Sequence, residues 1–195
     1  MPSDNMALCD KMALDCEKVK NALLKSMEAF YTVYPADGFG DGLAGGLKDG
    51  STSDSALLVA RCDYFEHSEK FMVSQKVSLW SADCEEFLYI FQTDFLTEEA
   101  LFRCMQEVSD DWKTRATIGP GHMCTYVTPI FICNNADDNA KKAIIKCHIY
   151  KSFKFSFYGW MEWHTALIEC EKNAVFSNKR GKGVKKMVQK IVNAI

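Results

Sequence analysis

Apolar and polar positions in this chain follow two periods, one of 3.6 residues and one of 2, and the switches between them predict ten elements. Over residues 4–34, Leu8, Met12, Val19, Leu23, Met27 and Phe30 recur at helical spacing. Asp10, Lys11, Asp15, Lys18 and Lys25 fill the polar side, and Pro35 ends the pattern. Three strand patterns are expected next, at 55–64, 70–80 and 86–93. In the second, Phe71, Val73, Val77 and Leu79 share one face and Ser74, Lys76 and Ser78 the other, as in a half-buried meander. Thr97 is placed to cap a helix running to about 113, with Glu98 and Glu99 against its dipole and Leu101, Met105, Val108 and Trp112 as its apolar stripe.

The turn Gly119-Pro120-Gly121 then leads into a strand at 124–133, where Pro129 withholds a ladder hydrogen bond and predicts an edge or a bulge. Asn134-Asn135 open a helix to about 147. Ile149, Phe153, Phe155 and Phe157 alternate with Ser152, Lys154 and Ser156, which predicts a strand over 149–157. Gly159 turns the chain into a further strand at 160–170, and a basic helix begins at Gly183. The order αβββαβαββα fits an α+β fold in which helices cover a mixed sheet. With 195 residues and 48% apolar content the chain is expected to form a single domain, 1–195, with a Gly-rich flexible loop at 36–54 inside it.

That loop contains Gly40-Asp41-Gly42-Leu43-Ala44-Gly45, a match to G-x-G-x-x-G, with Asp63 further on. A dinucleotide fingerprint needs a strand before it and a helix starting within it, whereas here a helix precedes and a turn-rich stretch follows. Asp37, Asp41 and Gly42 suggest a calcium loop only until Phe39 and Lys48 are placed where oxygen ligands belong.

The first six elements resemble the core of the restriction-endonuclease-like superfamily, whose nucleases carry a PD-(D/E)xK motif. The resemblance implies an acidic metal ligand on one strand and an acid two residues before a lysine on the next. Asp63 and Lys76 are the positions that match. The acid is missing, because Ser74-Gln75-Lys76 has serine where the motif needs a carboxylate, and Glu66 and Glu69 are the nearest substitutes. The resemblance therefore implies either a metal-dependent nuclease-like enzyme or a degenerate, non-cleaving relative.

Other catalytic chemistry narrows to one pair. Trp160, Glu162 and His164 share a strand face, where a carboxylate can orient and charge an imidazole. Cys133 and His148 are a conceivable nucleophilic pair that spacing cannot bring together. His67, His122, His148 and His164 form no zinc-type spacing, and no cofactor or metal is required by the sequence. Nine scattered cysteines, with no C-x-x-C pair, read as reduced core residues. The N-terminal residues show neither a signal peptide nor a span, so a cytoplasmic protein with no membrane contact is expected.

Charge supplies the strongest pointer. Residues 1–140 hold 11 Lys+Arg against 23 Asp+Glu, and residues 141–195 hold 12 against 3, so the net charge of -3 conceals a basic C-terminal quarter. Lys179, Arg180, Gly181, Lys182, Gly183, Lys185 and Lys186 combine charge, small residues and a helix start, which suits an anion. Lys190 extends the basic side while Val184, Val188 and Ile191 turn inward. With Lys141, Lys142, Lys151 and Lys154, and with Tyr150 and Tyr158 for stacking, these residues predict non-catalytic binding of nucleic acid or another polyanion such as an acidic protein. A module that only binds other proteins is the remaining class.

Overall fold

A computed structural model describes residues 13–36, 57–71 and 78–195. The Gly-rich loop motifs, Lys76 and the first residues of the expected opening helix lie outside them. The elements are α1 (Cys16–Met27), β1 (Thr32–Pro35), β2 (Leu57–Phe71), β3 (Ser78–Leu96), α2 (Glu98–Arg115), β4 (His122–Ala136), α3 (Asp138–Lys146), β5 (Tyr150–Ser152), β6 (Trp160–Trp163), β7 (Ala166–Glu169), β8 (Ala174–Ser177) and α4 (Lys182–Val192). This is the expected α+β class with a mixed sheet, with two further strands before the last helix.

The strands run β1-β2-β3-β4-β6-β5 across the sheet; β7 follows β6 along the same side of β4, and β8 lies outside β7. β1, β2 and β3 form an antiparallel meander. β4 lies parallel to β3, with α2 as the crossover. Alternation along the strands divides the core in two. Phe87, Tyr89, Phe91, Val127, Phe131, Met161 and Trp163 meet α2 and α3 on one face. Leu88, Ile90, Ile130, Ile132, Ala166 and Ile168 meet α1 and α4 on the other.

Helix starts follow their capping chemistry. Asp15 caps α1, and Thr97 caps α2 by accepting from the Ala100 N–H at 3.1 Å. Asp137 serves two helices, since one oxygen accepts from the Ala140 N–H of α3 and the other from the Glu98 N–H of α2 at 2.8 Å. Before β4, the His122 N–H bonds the Gly119 carbonyl and Gly121 has φ 91°, the arrangement of a type II turn with proline second and glycine third.

Several boundaries differ from the periodicity reading. Among the described residues α1 ends at Met27, and Thr32-Val33-Tyr34, β-branched and aromatic, pair with β2 instead of continuing the helix. Phe30, expected on the apolar face, is exposed. The two ends of the expected strand at 70–80 belong to β2 and β3, which pair from Leu57↔Gln92 to Phe71↔Ser78, and residues 72–77 lie outside the described residues. Pro129 lies in the central strand rather than at an edge. Its backbone points the same way as that of Val127, whose carbonyl accepts from the His164 N–H at 2.9 Å. Pro129 thus faces the gap where β6 ends and β7 begins. A residue with no N–H is tolerated there, and the expected strand at 160–170 is split in two at that point.

A candidate nucleic-acid interface

The basic quarter of the sequence separates into lysines that are neutralised and lysines that are not. Lys141 and Lys172 both donate to Glu169 at 2.7 Å, and Glu169 is fully buried. Lys141, expected on the binding surface, is therefore consumed by the fold. On α4, Lys182, Lys186 and Lys190 are exposed and Lys185 is half-buried. They recur at i, i+3 and i+4 opposite Val188 and Val192, which are buried against the sheet. Among the described residues no ion pair with a carboxylate is recorded for these four lysines or for Lys179, while Arg180 lies 3.5 Å from Glu162.

The glycines beside them play different parts from those expected. Gly181 caps α4, but its N–H donates to the Asn178 side-chain oxygen at 2.7 Å and is spent. A Cβ at Gly181 would stand 2.7 Å from that oxygen and 3.0 Å from the Thr165 carbonyl, so its smallness serves packing. Buried Asn178 in turn donates to the carbonyls of Trp163 at 2.8 Å and Cys147 at 3.1 Å, pinning the helix start to the sheet. Gly183 has open space around it, and no side chain caps the first amides of α4.

Of the alternation expected to form a strand over 149–157, residues 150–152 do so as β5, and residues 153–158 fold into a turn. Lys154, Phe155 and Ser156 have φ of 45°, 54° and 70°, three consecutive non-glycine residues in the left-handed region. Each costs about 1 kcal/mol or more, so the surroundings must over-determine the conformation. They do so through backbone bonds from Phe157 N–H to Lys154, Tyr158 N–H to Phe153, Gly159 N–H to Ser156 and Phe153 N–H to Gly159. Buried His122 anchors the turn from β4, its Nδ1 lying 2.7 Å from the Tyr158 carbonyl and its ring edge-on to Phe153. The turn leaves Phe155 96% and Phe157 84% exposed. Burying one phenylalanine is worth about 1.5–3 kcal/mol, which two rings on a strained turn forgo.

The two faces of the sheet separate the remaining candidates. Glu162 and His164 meet as expected, Oε1 to Nε2 at 3.0 Å, on the face shared by α1 and α4. The His164 ring stacks on Tyr126 at 4.8 Å, and Arg180 approaches the other Glu162 oxygen. Two separately expected groups, the acid–base pair and the basic loop, are thus adjacent. Glu162 is thus held between the His164 ring and the Arg180 guanidinium. Cys133 is fully buried, and burial pushes its thiol up to about 12, whereas His148 is exposed.

Asp63 lies on the opposite face, beside a cleft of about 620 Å³ lined also by Tyr34, Phe65, Glu85, Phe87 and Arg115. Arg115 bonds Asp63 and lies 3.1 Å from Asp111, while Arg61 lies 3.5 Å from Asp63 and 3.7 Å from Asp111. The acid that periodicity passed over is Glu85. Starting β3 at Ser78 places it two residues before Phe87, on the same side as Asp63, but the motif's lysine position is then phenylalanine. Glu85 accepts from the Thr117 N–H at 3.2 Å, and the Arg115 guanidinium covers the Phe87 ring at 4.3 Å. The cation among these carboxylates is already an arginine. Among the described residues no three His, Cys, Asp or Glu side chains gather as a metal site. The residues present do not fit the divalent ion that the nuclease resemblance implies. Glu66 is exposed and hydrogen-bonded by Tyr64, and the Glu69 side chain lies outside the described residues.

Fold and surface together define an α+β domain with an αβββαβ core and a basic terminal helix. Residues 15–190 match the model of a family described as a domain of unknown function (DUF8052), and the chain belongs to that family. No curated protein matches it, and no solved structure does.

Proposed function

We propose that this domain binds a polyanion, nucleic acid foremost, through its basic C-terminal region and without catalysis. The observation that carries this reading is the contrast among the lysines. Two are spent on Glu169, while the α4 stripe keeps its charge turned to solvent. Such a stripe gains affinity by releasing counterions from phosphates, whatever the base sequence. A cytoplasmic setting suits the reading. The eight cysteines among the described residues are free thiols, including Cys84 and Cys124 with sulfurs 2.9 Å apart, and no helix among those residues is long and apolar enough to cross a membrane.

The test is fluorescence anisotropy with labelled single- and double-stranded oligonucleotides over a salt series. Affinity is expected to fall linearly with salt on logarithmic axes. A Lys182→Glu, Lys185→Glu, Lys186→Glu variant is expected to bind at least about tenfold more weakly and to flatten the slope by about 2 for single strands and about 2.7 for duplexes, as losing three phosphate contacts requires. An unchanged slope in that variant would remove α4 from the interface, and no binding at low salt would leave a protein partner as the reading to pursue.

A further inference from the structure

We infer that the turn at 153–158 is a stacking platform for unpaired bases, so that the polyanion is single-stranded nucleic acid; this deepens the proposed reading and rests on it. The four aromatic rings of the turn are not equivalent. Phe153 and Tyr158 are half-buried and already covered, Phe153 by the Lys151 ammonium at 5.6 Å and Tyr158 by the Lys154 ammonium at 4.5 Å. Phe155 and Phe157 are the two rings left to solvent. Their stretch of chain carries no acid from residue 139 to 161 and, besides Lys141 spent on Glu169, four further lysines, so a phosphate backbone approaches without repulsion.

The turn and the basic helix are also close in the fold. Arg180, at the start of α4, lies beside Glu162, which pairs across strands with Tyr150, and Ser152 pairs with Trp160 at the base of the turn. That is a step of two residues, about 7 Å along a strand. The lysines can hold the backbone while the rings take bases.

Rigidity selects the ligand. A stacking platform needs its rings presented from a fixed place, and three consecutive left-handed residues closed by backbone hydrogen bonds fix the backbone that carries them. Burial of phenylalanine in lipid chains has no directional demand and gains nothing from that strain. A duplex closes its base faces against one another, so only a single strand offers faces to these rings.

The experiment compares a labelled single strand with its duplex over the same salt series, for the wild type, a Phe155→Ala, Phe157→Ala variant and a Phe157→Trp variant. Circular dichroism checks that each is folded. The wild type is expected to prefer the single strand by at least about tenfold. The double alanine variant should lose about 100-fold for the single strand, with duplex binding and salt slope unchanged, and Phe157→Trp should retain affinity. If the alanine variant binds the single strand like the wild type while charge reversal on α4 still abolishes binding, the platform is refuted and the polyanion reading stands. Phe-dependent binding to phosphatidylserine vesicles in place of oligonucleotides would assign the turn to lipid and overturn the inference. Absence of all oligonucleotide binding would remove both.

Discussion

Replacing Gly159 with alanine is expected to destabilise the domain by about 3–6 kcal/mol, read as a lower urea midpoint with an unchanged m-value. Gly159 has φ 66°, where an L-residue costs about 1–2 kcal/mol. The added methyl would also stand 2.1 Å from the Met123 carbonyl oxygen, which is backbone and cannot rotate aside. Relieving such an overlap costs about 1–3 kcal/mol more. The same methyl would come 2.9 Å from the His122 Nδ1 that holds the Tyr158 carbonyl, and losing that bond adds about 1 kcal/mol. Ser156→Gly is the complementary change. It relieves a left-handed residue at the loss of one exposed hydroxyl contact with Ser152, and is expected to be neutral or stabilising by up to about 1 kcal/mol. A Gly159→Ala variant within about 1 kcal/mol of wild type would mean that the turn does not require its strained geometry. Because Gly159 closes the turn that carries Phe155 and Phe157, the alanine variant should also bind single strands more weakly per folded molecule.

The turn also marks where reading the sequence stops. Ile149, Phe153, Phe155 and Phe157 alternate as a strand would, and period 2 cannot tell an apolar face that meets a core from rings left in water. What decides is tertiary: β5 is an edge strand of three residues, and His122 draws the chain into a turn. The opposite case is α2, where Thr97, the paired glutamates and the apolar stripe are local signals and the helix starts where they place it. Pro129 was legible as an interruption but not as one in the middle of the sheet, since the β6–β7 gap is made by residues more than thirty positions away. Glu162 and His164 were placed together because positions i and i+2 of an extended chain share a face, which holds although His164 is one residue past the end of β6. The nearness of Arg180 was not, because it depends on the buried Asn178 pinning α4 beside β6. Glu85 stayed hidden for a simpler reason: a strand start set eight residues late turned a core-facing acid into a turn residue.

Lys141→Met is expected to destabilise the domain by about 3–5 kcal/mol at pH 7, because it leaves the fully buried Glu169 carboxylate with only the half-exposed Lys172 ammonium and the Ala136 N–H. Burial alone would raise the Glu169 pKa, but the ammonium groups of Lys141 and Lys172 outweigh it and hold the acid below its ordinary value. In the wild type, then, Glu169 contributes stability that is fully present above its unfolded pKa near 4.3 and is lost as pH falls through the lower folded value. Removing Lys141 takes away one of the two ammonium groups that oppose burial, so the folded pKa should rise and the variant should recover stability relative to wild type as the acid takes up its proton. Urea unfolding at pH 7 and near pH 4 separates the possibilities, since the gap between the two proteins should narrow in acid if charge is the cause. An equal gap at both pH values would assign the loss to packing of the lysine stem. Lys141→Met combined with Glu169→Leu should restore most of the stability, as replacing both members of a buried pair commonly does. Oligonucleotide binding per folded molecule should be unchanged in either variant, because a lysine held 2.7 Å from a buried carboxylate has no charge left to offer a phosphate.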